Sequence, residues 1–125
     1  MKEYSFKRIG KTIEDLVVFY SSPNKNHRED GLVEHMKKTI TEQGGKNWIW
    51  IFNCTELTPK QAVNIHLALG IAELLRTMPG CRGVYVQNSN WAVKKLLEVI
   101  KTTLPITLTC RLFVDENPPT FFPIA

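Results

Sequence analysis

The sequence predicts an α/β domain: a mainly parallel sheet of about five strands with helices packed on it. Three observations carry that expectation. Short β-branched and aromatic runs alternate with longer amphipathic segments. The run Trp48-Ile-Trp-Ile-Phe52 is apolar on both faces, which places it in the middle of a sheet covered on both sides. Each amphipathic segment begins at residues able to cap a helix.

The elements follow in order. Residues 3–9 alternate loosely and suit a short edge strand. Residues 14–20 end in Leu-Val-Val-Phe-Tyr, a buried strand that stops at the loop Ser21-Ser-Pro-Asn24. Asn26 stands three residues before Glu29, a capping arrangement for a helix over 27–43 carrying Leu32, Val33, Met36 and Ile40 and ending at Gly44-Gly45. After the central strand, 47–53, Thr58-Pro59-Lys60-Gln61 joins a cap, a proline at the first helical position and a box-closing glutamine. The helix it opens runs over 59–77 and is apolar almost all round, so it is expected to be deeply packed. A strand at 83–87, a helix over 90–103 opened by Asn88-Ser-Asn90, and an alternating strand over 106–114 complete the pattern. The proline-rich tail, 114–125, is expected to be irregular and suits neither a helix nor a central strand. No repeat and no linker divides residues 1–125, so one domain is expected.

Composition narrows the function classes. Cys54, Cys81 and Cys110 are odd in number, far apart and without a CxxC pair. That spacing speaks against a disulfide framework or a zinc site and for a reducing, cytoplasmic setting. No apolar stretch approaches the length of a membrane span, and no secretory leader is visible. The net charge of +4 is scattered, with no zinc-finger, helix-turn-helix or RNA-binding signature, so nucleic acid is not the expected partner. Lys94, Lys95 and Lys101, with Glu98 among them, form the nearest thing to a basic patch. They read as a solvated helix face or as a surface for anionic lipid headgroups.

No catalytic constellation appears, so no enzymatic activity, cofactor or metal is expected. His27, His35 and His66 have no metal-ligand spacing, and His66 reads as a core histidine. Cys54 follows a strand without an elbow motif or a neighbouring base, and reads as an inert buried thiol. Gly44-Gly45 lies between a helix and a strand, the wrong side for a phosphate loop. What stands out is aromatic content. Trp48, Trp50 and Phe52 share one strand face and Trp91 opens a helix. They either fill a core or floor a site for an apolar ligand under that helix.

The strand Val84-Tyr-Val-Gln-Asn88, followed by Trp91, Lys101, Leu104 and Arg111-Leu112, resembles the CRAL-TRIO family of lipid-binding domains. Met78-Pro-Gly80 stands at that family's Tyr-Pro-Glu turn, and Trp50-Ile-Phe-Asn53 at its strand ending in aspartate. The resemblance spans about residues 47–114 and, more faintly, 14–43. The chain departs from the pattern at Asn90 and Thr102, where the family has proline, and at Asn53. It also lacks the family's N-terminal helical lobe and much of its C-terminal extension. The resemblance implies a lipid pocket gated by the helix over 90–104. The residues expected to face the ligand are Trp50, Phe52, Tyr85, Trp91, Leu96 and Ile100, with Lys94, Lys95 and Lys101 toward a membrane. One branch of the family binds proteins instead, so a protein partner or a homodimer is the alternative. A STAS-type regulatory module shares the element order; here Thr58 is the only hydroxyl at a comparable helix start.

Overall fold

A computed structural model describes residues 3–109 and 111–124 of the chain. Its elements are β1 (Lys7–Thr12), β2 (Val17–Ser21), α1 (Leu32–Gln43), β3 (Trp48–Asn53), α2 (Pro59–Ala62), α3 (Ile65–Thr77), β4 (Cys81–Gln87), α4 (Trp91–Thr103), α5 (Ile106–Thr109), β5 (Leu112–Val114) and β6 (Phe121–Pro123). The fold is α/β, and β3 lies inside the sheet as its sequence requires. The sheet, however, is mixed and has six strands, in the order β5-β4-β3-β2-β1-β6. Strands β2 to β5 are parallel, whereas β1 runs antiparallel to both β2 and β6. A mainly parallel sheet is therefore a correction. The hairpin from β1 to β2 is too short for a crossover, and a tight return can only be antiparallel.

Strands β2, β3, β4 and β5 step in one direction across the sheet. Crossovers of one hand then deliver every connecting helix to the same face. Met36 and Ile40 of α1, Ala62 of α2, Leu74 and Leu75 of α3, and Ala92 and Val93 of α4 share one core with Phe19, Trp48, Trp50, Val84 and Val86. The opposite face carries buried Val18, Ile49 and Ile51, packed against half-buried Ile9, Leu16, Tyr20, Tyr85 and Phe121, with no helix among the described residues. The central strand is thus apolar on both sides, as read, but helices cover only one of them. Among the described residues no helix is long and apolar enough to cross a membrane.

Local chemistry explains the other differences. The capping box is present: Thr58 Oγ1 accepts the Gln61 N–H at 3.2 Å, and Gln61 Oε1 accepts the Thr58 N–H at 3.0 Å. The helix it opens stops at Ala62 and restarts at Ile65, because Asn64 Oδ1 accepts the Leu67 N–H and caps a second helix. Asn26 caps nothing; its N–H turns back to Asn24 Oδ1, and α1 starts at Leu32 after Gly31 in the left-handed region. Residues 106–109, read as the start of a strand, form one helical turn, with the Leu108 and Thr109 N–H groups donating to Pro105 O. The fixed φ of Pro105 suits a first helical turn better than a strand. Cys110 lies outside the described residues.

The tail is more ordered than its composition suggests. Residues 115–120 carry the chain from β5, at one edge, to β6, at the other. Five strand spacings of about 4.8 Å make about 24 Å, close to the full reach of that segment, so it is nearly extended. Glu116 passes near enough to Tyr85, on the helix-free face, for its charge to help raise the phenol pKa, after burial. Strand β6 accepts a proline because Ile124 N–H donates to Ile9 O, which leaves Pro123 on the alternate, outward position where no ladder N–H is lost. Opposite Pro123 is Gly10, where any Cβ would run into the Phe122 carbonyl.

Candidate ligand cavity

Between the helix-covered face and the helices lies an apolar cavity of about 120 Å³. Its floor is the ring of Trp50 stacked on that of Phe52, centroids 5.1 Å apart and planes 13° apart. Trp50 is held in that attitude by its own polar edge, since Nε1–H donates to Ser21 Oγ at 2.8 Å in the core. Phe6 meets the same indole edge-on at 5.8 Å. The space exists because α2 and α3 present Ala62, Ala68 and Ala72 toward these rings. Small side chains opposite large flat ones leave the layers bridged at some points and apart at others. Leu96, Leu97 and Ile100 of α4 close the far side, and all three remain partly exposed.

The structure brings four of the residues singled out from the sequence to this cavity: Trp50, Phe52, Leu96 and Ile100. It does not bring the other two. Tyr85 lies on the helix-free face, stacked on Phe113 at 4.8 Å. It is one position from both Val84 and Val86, which line the cavity, so the period of two turns it to the other face. Trp91 stands at the start of α4, 72% exposed and away from the cavity lining. Lys94, Lys95 and Lys101 are exposed on the same helix, and Lys94 Nζ lies 3.8 Å from Asp115 Oδ2. Asp115 also accepts from the Ser89 hydroxyl at 2.7 Å and its N–H at 3.2 Å, which, with the nearby lysine, holds its carboxyl below the ordinary range.

Sequence reading missed the other end of the cavity, formed by His27, Arg28, Glu29 and Gln61. Nothing in their spacing announces it, because the loop after β2 brings the first three there. The alanines were legible in principle: Ala68 and Ala72 are one turn apart on a helix whose partner strand is rich in tryptophan. His66 is exposed rather than core, and Ile65 and Leu69 beside it are also exposed, so α3 buries one face only.

The remaining chemistry is quiet. Cys54 and Cys81 are buried free thiols. Burial, with the charge of Asp115, pushes Cys54 up to about 12, and burial pushes Cys81 up to about 11. At the ends of the parallel strands Asn53 ties its neighbours together, donating to Tyr20 Oη and accepting from Thr55 and Asn88. Among the described residues no group of three or more His, Cys, Asp or Glu side chains could hold a metal ion. No protein-family model matches the chain, and no curated protein matches it.

Proposed function

We propose that this chain is a small, non-catalytic, CRAL-TRIO-like domain that holds an apolar ligand of lipid type between its sheet and its helices. The observation that carries the reading is the cavity, floored by stacked Trp50 and Phe52 and closed by Leu96 and Ile100. A dry, apolar cavity of about 150 Å³ takes up benzene, so 120 Å³ suits a ring or a short chain rather than a diacyl lipid. The non-catalytic reading is supported by thiols kept protonated far above neutral pH. The odd number and wide spacing of the cysteines in turn support a cytoplasmic setting. Trp91 beside Lys94, Lys95 and Lys101 supports docking of α4 on an anionic membrane, each lysine contributing about 1 kcal/mol near such a surface.

Native mass spectrometry of the freshly purified protein tests the cavity, together with Ile100→Trp, which fills it. The reading expects a bound apolar molecule that the variant lacks; a protein that takes up none from a panel of short alkyl and aromatic compounds rejects it. For the surface, Trp91→Ala and charge reversal of Lys94 and Lys95 are expected to weaken liposome flotation. Protein interaction is the second reading, favoured by Ile13, Phe122 and Ile124, large side chains exposed away from the cavity. A stable dimer that ignores anionic liposomes would favour it.

A further inference from the structure

A second hollow, unrelated to the apolar cavity, lies at the end of the sheet where β2 and β3 begin. It is a cleft of about 380 Å³, bounded by Arg8 and Lys11 of β1, Glu14 and Asp15 of the turn into β2, and Lys46 and Asn47 before β3. Arg8 is its unusual member. It pairs with Phe19, and residues directly opposite on antiparallel strands share a face, so Arg8 lies on the helix-covered side near the end of α1. Its Nε is closed off from solvent and has no hydrogen-bond partner, the sole buried side-chain nitrogen or oxygen of that kind among the described residues. None of the ion pairs among the described residues includes it. A half-buried guanidinium without a counter-charge has given up hydration and received nothing in exchange.

The charges around Arg8 leave the cleft positive. Asp15 is answered from within, its Oδ1 lying 3.4 Å from Lys11 Nζ. Arg82 reaches in from β4, where its Nε–H donates to Asn47 Oδ1 at 3.0 Å. Arg8, Lys46 and Arg82 therefore stand against Glu14 alone, an excess of two positive charges. They come from β1, the link into β3, and β4, so the fold gathers cations that the sequence scatters.

We infer that this cleft binds the dianionic phosphate of a small soluble phosphate monoester, with Arg8 as its principal contact and Lys46 and Arg82 adding charge. A planar guanidinium matches phosphate oxygens two at a time, and an excess of two charges matches a dianion better than a carboxylate. The position of the cleft favours a soluble source over a lipid headgroup. Trp91 and Lys94 follow the C-terminal end of β4, whereas the cleft lies where the parallel strands β2 and β3 begin. A membrane met by the start of α4 is thus at the far end of the sheet from the cleft.

Titration of the isotope-labelled protein with inorganic phosphate and with glycerol phosphate, followed by amide chemical shifts, tests it. At about pH 8 both are dianions, since the second phosphate pKa is about 6. Both are expected to saturate and to move residue 8 and residues 45–47 together, and acetate is expected to bind about fivefold more weakly. Arg8→Gln is expected to weaken phosphate binding about tenfold and Lys46→Gln about threefold, with Lys94→Gln, at the other end, within about twofold. Should Arg8→Gln fail to fold, Lys46→Gln and Arg82→Gln carry the same comparison with Lys94→Gln. Losses as large at Lys94 as at Lys46, shifts spread over all the lysines, or acetate as tight as phosphate overturn the inference. A protein that ignores both free phosphates but loses phosphatidic acid vesicles on Arg8→Gln overturns the soluble source and assigns the cleft to a headgroup.

Discussion

On the helix-covered face Trp48 is 1% exposed beneath a layer of helices; on the other face Ile49, the next residue, is 1% exposed with no helix above it. The first face works with large rings. Phe19 meets Trp48 edge-on at 5.9 Å, and Phe6 stacks on Phe19 at 5.1 Å, so the rings fill the depth between sheet and helices. Where the helices offer alanine instead, the layers stay apart and the cavity remains. The second face works with short branched side chains between taller flanks. Leu16, Tyr20, Tyr85 and Phe121 lean over Val18, Ile49 and Ile51, with the extended segment before β6 running from edge to edge. A sheet surface can thus be dried by its own neighbours, and the layered face is the one that keeps room for a guest.

The sharpest way to break this comparison is to truncate each side in turn. Trp48→Ala is expected to cost about 4 kcal/mol in chemical denaturation, since a large ring is removed from a site that cannot collapse. Ile49→Ala is expected to cost about 3 kcal/mol, nearly as much, because the helix-free face is a core and not a surface. A loss under about 1 kcal/mol at Ile49, in the range of surface substitutions, would mean that face is loosely covered.

Smaller effects sharpen the helix side. Thr58→Ala frees the Gln61 N–H and is expected to cost about 1 kcal/mol. An unchanged denaturation midpoint would show that Asn64, capping the next helix, suffices alone. The thiols give a pH signature. Both are raised in the folded protein, to about 12 for Cys54 and about 11 for Cys81, from 9.0. The unfolded chain therefore loses these protons first, and stability is expected to hold below pH 9 and to decline as pH rises toward 12. Denaturation of Cys54→Ala across that range is expected to show a shallower decline than the parent.

Much of the order was legible, and the reasons for the rest are physical. The run Trp48–Phe52 announced an interior strand because its apolar residues fall on both phases of a two-residue period. The box at Thr58 announced a helix start because its two hydrogen bonds depend only on neighbours in sequence. The parallel direction of β2 to β5 was legible from the helices between them. The antiparallel direction of β1 was carried only by its short link to β2, because period and propensity are the same in both directions. The alternation at 106–109 misled because Pro105 turns it into a helical turn. The tail hid β6 because proline lowers strand propensity, whereas the outward position of Pro123 depends on pairing with β1, more than a hundred residues away. At the cavity, Trp50 and Phe52 were legible from their shared phase. The end lined by His27 and Arg28 was not, since they reach it through a loop whose path is tertiary.

That outward proline sets how the molecule behaves in a crowd. An exposed sheet margin invites other strands to add to it, and growth by addition needs a run of free N–H groups along the rim. In β6 the residues turned outward are Phe121 and Pro123, and proline has no N–H to give. The margin can offer one donor there and then falls silent, although Phe122 and Ile124 keep it greasy. Side chains on this rim can meet another surface by contact, while the backbone is kept from seeding an endless ladder.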